Sequence, residues 1–347
     1  MLFAQLFSVL LAINSNYLDN KSKMPELSPS SMTVTKLLRY AVKGLSGDEL
    51  SSVALTPTDK TFPDDRRFAL FKESSSNAFD EHEPEWLHKE NFLCAFSDPE
   101  MMATFKSSYK IVECEENSEI KRLLTLHRRG EDDGGQLEYT HALGPVDLNK
   151  EAGREELSNF FSQPSLANER LKCVSQKISK NHTHQFGNTS SGVKKNQGDT
   201  RTVHLVNAAT VRDVEEKFGM KLNAIRFRPN IIVDGLEPWK EFEFIGKRLR
   251  IIKSNANGSE SSVSRLELKV LSKTVRCAGV GVDPFDPKRK VDIPQMLSKY
   301  FPEHGPYLGV YAVIECAEGN GRNNISDDID LSLSVGDRIS VEVIENL

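Results

Sequence analysis

Cys277 ends a basic, valine-containing run, Lys273-Thr274-Val275-Arg276-Cys277, and is followed by a Gly-rich stretch that leads to Asp283-Pro284. A cysteine serves a soft metal as its thiolate, and a neighbouring guanidinium favours that form. Successive residues on a strand face opposite ways, so Arg276 and Cys277 converge only if the chain bends near Ala278-Gly279. The alternative is that Cys277 is a small buried hydrophobe. Earlier in the chain, Arg226, Arg228 and Asn230 alternate with Phe227 and Pro229. On a strand the three polar side chains share one face and Phe227 enters the core. Two guanidiniums and an amide suit a phosphate or another polyoxygenated anion; a solvated strand edge is the competing reading. Asp283 is a candidate for proton transfer or for support of the thiol, although an Asp before Pro also builds turns.

The elements that must position these groups are mostly short strands. Val34 to Val42, Val53 to Thr56 and Arg67 to Phe71 are strand candidates separated by Gly, Asp and Pro turns. Ser97-Asp98-Pro99-Glu100 reads as a helix start capped by Ser97, with Met101, Met102 and Phe105 on the buried face. A charged helix is expected from Glu151 to Phe161. Thr202 to Val206 forms a strand, Asn207 caps a helix running to Phe218, and Gly219 stops it. Further strands are expected at 231–233, 242–245, 249–252, 266–271, 311–314 and 339–343, with turns at Gly246 and Gly336-Asp337. Asp292 and Pro294 open a last helix, to Tyr300. Many short strands and few helices make the fold α+β, mostly β, with a barrel or sandwich at its centre.

The segmentation follows. Residues 1–32 form an apolar and then polar leader, 33–145 an N-terminal β-rich domain, 146–200 a connecting helix and polar segment, and 201–347 a second, β-rich core domain. The apolar run from Met1 to Ile13 is shorter than the about 20 residues of a spanning helix. It lacks the basic residues that precede a signal sequence and the arginines of a transit peptide. Membrane association is therefore expected only through this N-terminus. His182 and His184, two apart, could share a metal, but their polar surroundings favour a loop. The acids between Gly130 and Gly135 lack the spacing of a Ca²⁺ loop and read as solvated.

At 347 residues and 38% hydrophobic content the chain can bury a substantial core. Its net charge of −5 argues against a general nucleic-acid binder. Five dispersed cysteines without a C-x-x-C pair point to a reducing, intracellular compartment, mitochondrial or cytoplasmic, and exclude a ferredoxin-type cluster. Redox chemistry would then draw electrons from a separate protein.

The C-terminal half resembles the MOSC domain. The likeness rests on Phe227-Arg228-Pro229-Asn230, Trp239 to Gly246, Arg276-Cys277, Val282-Asp283-Pro284, Leu308 to Tyr311 and Val335-Gly336-Asp337. The N-terminal half is similar to the β-rich domain that precedes it, through Tyr40-Ala41-Val42-Lys43-Gly44 and Asp65-Arg66. In this two-domain order the chain resembles the mitochondrial amidoxime-reducing components. The resemblance implies a molybdenum cofactor (Mo-molybdopterin) with Cys277 as the protein's thiolate ligand. It implies that Lys43 and Arg66 reach the pterin and its phosphate from one side and Arg228 and Asn230 from the other. It places Gly44 beside the cofactor, with Asn207 and Thr210 at an anion-binding helix start. The implied reaction is reduction of small N-hydroxylated substrates, with electrons from a cytochrome b5-type donor and its NADH-dependent reductase.

Three positions depart from the family pattern. Gly44 stands where Ser is common, Arg67-Phe68 where Trp often follows the Asp-Arg pair, and Asn207 where a small hydroxyl residue is usual. The alternative function is a non-catalytic cofactor carrier or sulfur-transfer module with a persulfide on Cys277. Pyridoxal phosphate binding enters only through the family's sulfurase, whose lyase domain has no counterpart signature in this chain.

Overall fold

The computed structural model describes residues 31–340 apart from 83–86, 116–117, 132–135, 177–184, 187–200, 255–259 and 318–329. Nearly all of the leader, His182 and His184, much of the acidic loop and residues 341–343 lie outside the described residues. Among those described, no helix is long and apolar enough to cross a membrane.

Seven strands close into a barrel in the order Ser31–Arg39, Ile231–Asp234, Val203–Asn207, Tyr307–Cys316, Glu260–Val275, Arg248–Ser254 and Arg338–Ser340. Arg338–Ser340 and Ile231–Asp234 both pair with Ser31–Arg39, so the last strand meets the first. Closure follows from alternation. Leu266, Leu268 and Val270 turn inward and are buried, while Glu267 and Lys269 between them face the other way. Met32, Val34, Leu37, Leu205 and Ile231 meet them inside, and this packed interior is the main core. The mostly β, α+β architecture read from the sequence is what the structure contains.

Outside the barrel, Phe92–Leu93, Phe68–Lys72 and Leu171–Ser175 form a small antiparallel sheet. A three-stranded meander, Phe105–Glu113, Ile120–Glu131 and Leu137–Asp147, packs one face on a second core that includes Phe105, Leu124, Leu126 and Phe161. The sequence reading assigned no strand there, because charged residues interrupt the apolar period on the solvent face; Lys106 is exposed between buried Phe105 and Ser107, and Lys110 is exposed after buried Tyr109.

Four helices are described: α1 (Pro99–Thr104), α2 (Glu151–Phe161), α3 (Ala208–Phe218) and α4 (Ile293–Tyr300). Asn207 caps α3 by accepting from Ala209 N, and left-handed Gly219 ends it. Asp292 caps α4 with Pro294 in its first turn. α1 is capped by Asp98 and not by Ser97, whose hydroxyl instead donates to the Phe92 carbonyl. The expected strand at 242–245 is a 3₁₀ helix, Lys240–Phe244.

Candidate functional site

The Arg-Phe-Arg-Pro-Asn run is not a strand. Asn223 accepts from Ile225 N and starts a 3₁₀ turn, Ala224–Phe227, and Arg228 follows in the left-handed region at φ 54°. Pro229 disfavours the right-handed helical conformation at Arg228, so the turn cannot continue as a helix. The three side chains diverge as a result. Arg226 turns away and donates to the carbonyls of Val280 and Gly281 at 3.0 Å each. Arg228 donates to the Gly44 carbonyl at 3.2 Å and stacks 4.3 Å from the centre of the Tyr40 ring. Asn230 is fully buried; its Oδ1 accepts from His204 N and Arg66 Nη1, and its Nδ2 donates to Leu38 O. That amide holds strands together, and its acceptor and a donor are already engaged.

Lys43, Gly44, Arg66, Arg228, Asn230 and Cys277 nevertheless line one cleft of about 860 Å³, open solvent at its mouth included. Cys277 sits just past strand Glu260–Val275, in extended backbone that opens a 3₁₀ turn at Ala278–Val280. Strand alternation no longer governs there, so Arg276 and Cys277 both reach the cleft. Arg276 is fixed by donating to Phe227 O at 2.8 Å. Arg66 is fixed by the buried carboxylate of Asp65, by Arg228 O at 3.1 Å and by stacking 5.0 Å from the Tyr40 ring. Tyr40 thus carries two guanidiniums on its ring.

The described cleft lining contains five cations, Lys43, Arg66, Lys89, Arg228 and Arg276, and no Asp or Glu. Burial, reinforced by Arg66, Arg228 and Lys89 against the opposing pull of Cys94, lowers Lys43 to about 8. Burial likewise lowers Arg228 to about 10, with Tyr40 pulling the other way. His204 lies beneath them. Its Nδ1 faces the Arg228 carbonyl at 3.4 Å and its Nε2 faces Arg276 Nη1 at 3.5 Å. A carbonyl only accepts and a guanidinium only donates, so the ring is the neutral Nδ1–H tautomer. Burial first, then Arg276 and Arg66, hold its pKa well below the usual imidazole range.

Sequence reasoning missed His204, Lys89 and Cys94. Cys94 is buried beside Lys43 and lines the same cleft. Only the placement of His204 in a short apolar strand gave any signal.

Three expected site residues lie elsewhere. Asn207 and Thr210 do not line the cleft; they donate to the buried carboxyl of Glu241, at 3.1 Å from Asn207 and 2.9 Å from Thr210. The helix start that was expected to receive an anion therefore already holds one of the chain's own carboxyls. Asp283 is a turn residue: Oδ1 accepts from Phe285 N at 2.9 Å, and Oδ2 lies 3.8 Å from Arg226. Gly44 explains its own departure from Ser. It sits at φ 94°, and a Cβ there would come within 2.7 Å of Cys94 Cα and Met102 Cε.

A barrel whose rim brings a thiol and a cluster of cations to one acid-free cleft is a barrel built to hold an anionic group. Residues 182–340 match the family model of the MOSC domain. MOSC domains are associated with binding of the molybdenum cofactor. The crystallised YUAD protein from Bacillus subtilis aligns over 89% of this chain and 94% of its own at 9% identity and a TM-score of 0.32, a likeness too low to carry an argument. No curated protein matches the chain. Pyridoxal phosphate binding has no support here.

The residues present fit the family's cofactor. Arg228 Nη2 and Arg276 Nε are buried without a hydrogen-bond partner among the described residues. Unmet guanidinium donors above an acid-free lining call for an anionic oxygen ligand.

Proposed function

We propose that the protein is a molybdenum-cofactor-dependent oxidoreductase that reduces N-hydroxylated compounds with electrons from an external donor. The observation that carries this reading is Cys277 facing the same cleft as five cations and no carboxylate. When bound, the cofactor supplies two-electron redox chemistry at a metal able to accept oxygen from an N–O bond.

The chain's own residues hold and orient. Cys277 would offer its thiolate to the metal. Lys43, Arg66 and Arg228 would neutralise the pterin's phosphate, and Arg276 would add a donor next to the thiol. Neutral His204 keeps Arg276 and the Arg228 carbonyl in register without adding charge. Asp65 anchors Arg66 from behind, and Gln185 ties Asp65 to Thr202 N by hydrogen bonds of 2.7 and 3.0 Å. The five cysteines of the chain show no cluster spacing, which supports an external electron donor, and the family resemblance implies that this donor is of the cytochrome b5 type with its NADH-dependent reductase.

The test is expression in a host that makes molybdopterin, with molybdenum measured by mass spectrometry in the native chain and in Cys277→Ala. Near-stoichiometric metal in the first and its loss in the second is expected. Absence of metal from both sinks the reading. Turnover of a benzamidoxime with added cytochrome b5 and its reductase then separates the enzyme from a cofactor carrier, which binds metal but leaves the substrate unchanged.

A further inference from the structure

A second, partly open chamber of about 510 Å³, solvent at its mouth included, lies against the cleft, between α1, the Arg226-containing turn and the Val282-Asp283-Pro284 segment. Gly44, Ala95, Arg228 and Gly279 belong to the walls of both cavities. Most of the second chamber's lining is apolar or small, including Pro99, Ala103, Phe105, Ile225 and Val282, and none of it is Asp or Glu.

The polar groups in this wall are donors. Tyr40 Oη, Arg226 Nη1 and Arg228 Nη2 are buried and have no hydrogen-bond partner among the described residues. Tyr40 is fully buried and Arg226 is 3% exposed, so water does not meet their needs from bulk solvent. Asp283 stands 3.8 Å from Arg226 Nη1, beyond hydrogen-bond length, and its other oxygen is held by Phe285 N. Ser46 is engaged with Ser107 through both its hydroxyl and its carbonyl. Buried donors without acceptors cost free energy that a ligand bringing acceptors recovers. Two arginines in the walls of a largely apolar space select a negative charge attached to an apolar body.

We propose that this chamber binds a small monocarboxylate with a flat apolar body, its carboxylate on Tyr40, Arg226 and Arg228 and its body against Ala103, Phe105 and Ile225. The chamber shares Arg228 with the cofactor cleft, but Tyr40, Arg226, Ala103, Phe105 and Ile225 belong to it and not to the cleft, and the proposal does not depend on the cofactor reading.

Benzoate is the probe, titrated into the full-length chain by calorimetry and by ligand-observed NMR. A Kd of about 1 mM or tighter is expected, with benzyl alcohol binding at least about tenfold more weakly. Ala103→Leu fills the chamber without touching the cleft and should weaken benzoate at least about tenfold. Tyr40→Phe removes one donor and should weaken it about fivefold. Lys43→Ala, which alters only the cleft, should leave benzoate affinity unchanged; thermal melting confirms that each variant is folded. Three outcomes overturn the proposal. They are no benzoate binding up to roughly 10 mM, binding lost in Lys43→Ala but kept in Ala103→Leu, and displacement by inorganic phosphate as effective as by benzoate, which would reveal a simple anion hole.

Discussion

Two buried groups set how this protein should respond to pH. Lys43, lowered to about 8 chiefly by burial, is a cation below that value and neutral above it. Binding of inorganic phosphate to the cleft should therefore be strong at pH 7 and weaken as pH rises past 8. Lys43→Met should remove that inflection and cost roughly tenfold in affinity at pH 7, read by calorimetry. Glu241 behaves in the opposite sense. Burial raises its carboxyl to about 7, against hydrogen bonds from its own backbone, Thr210 and Asn207. The folded state thus holds a proton that the unfolded chain releases at ordinary carboxylate pH, so this group's contribution is full below about pH 4.5 and fades as pH rises through 7. Glu241→Gln should raise stability by up to about 3 kcal/mol at pH 8 and change it little near pH 4.5, measured by denaturant unfolding. This same carboxyl shows why Asn207 and Thr210 misled the sequence reading. A helix start looks open to an anion until the fold delivers Glu241 to it from a separate 3₁₀ helix. Cys277, Lys43, Arg66 and Arg228 were picked out individually by the family likeness, and the structure brings them to one cleft. Cys94 was not, since nothing local distinguishes it from a core residue, and His204 offered only its place in an apolar strand.

At the level of elements, the barrel strands and the helices were legible, and the meander and the short turns around the cleft were not. α3 and α4 carry side-chain caps and apolar periods that depend only on neighbours in sequence. The Arg-Phe-Arg-Pro-Asn run carries a period-two pattern that suits a strand, yet a left-handed Arg228 before Pro229 breaks it. That break sends Arg226 and Arg228 into different surroundings and lets both cavities have a guanidinium. The meander was hidden because it lies half in solvent, where alternation is blurred by lysines and arginines. A strand glycine gives the test at this scale. Gly309, at φ 75° within Tyr307–Cys316, would place a Cβ 2.6 Å from both His204 Nε2 and Leu205 O. Gly309→Ala should push His204 off Arg276, lowering both the melting temperature and the phosphate affinity of the cleft. A fall in stability alone would show that His204 does not position Arg276.

For the whole molecule, the feature with the widest reach is the barrel's closing strand, Ser31–Arg39, which comes from the opposite end of the chain to the strands it joins. It runs directly into Tyr40, the ring on which Arg66 and Arg228 stack. Leu37, fully buried in the barrel core, couples these roles. Leu37→Ala should cost about 2–5 kcal/mol and melt barrel and cleft in one transition, followed by circular dichroism and by phosphate binding together. The region matched by the MOSC family model starts at residue 182, after this strand. A boundary recognised by family likeness is thus not a boundary at which the chain can be cut. A fragment begun there would leave Ile231–Asp234 and Arg338–Ser340 as bare sheet edges, each with a row of unpaired backbone donors and acceptors. Such an open barrel would seek strands from other copies, and its failure would be seen as aggregates in light scattering before any loss of chemistry was measured.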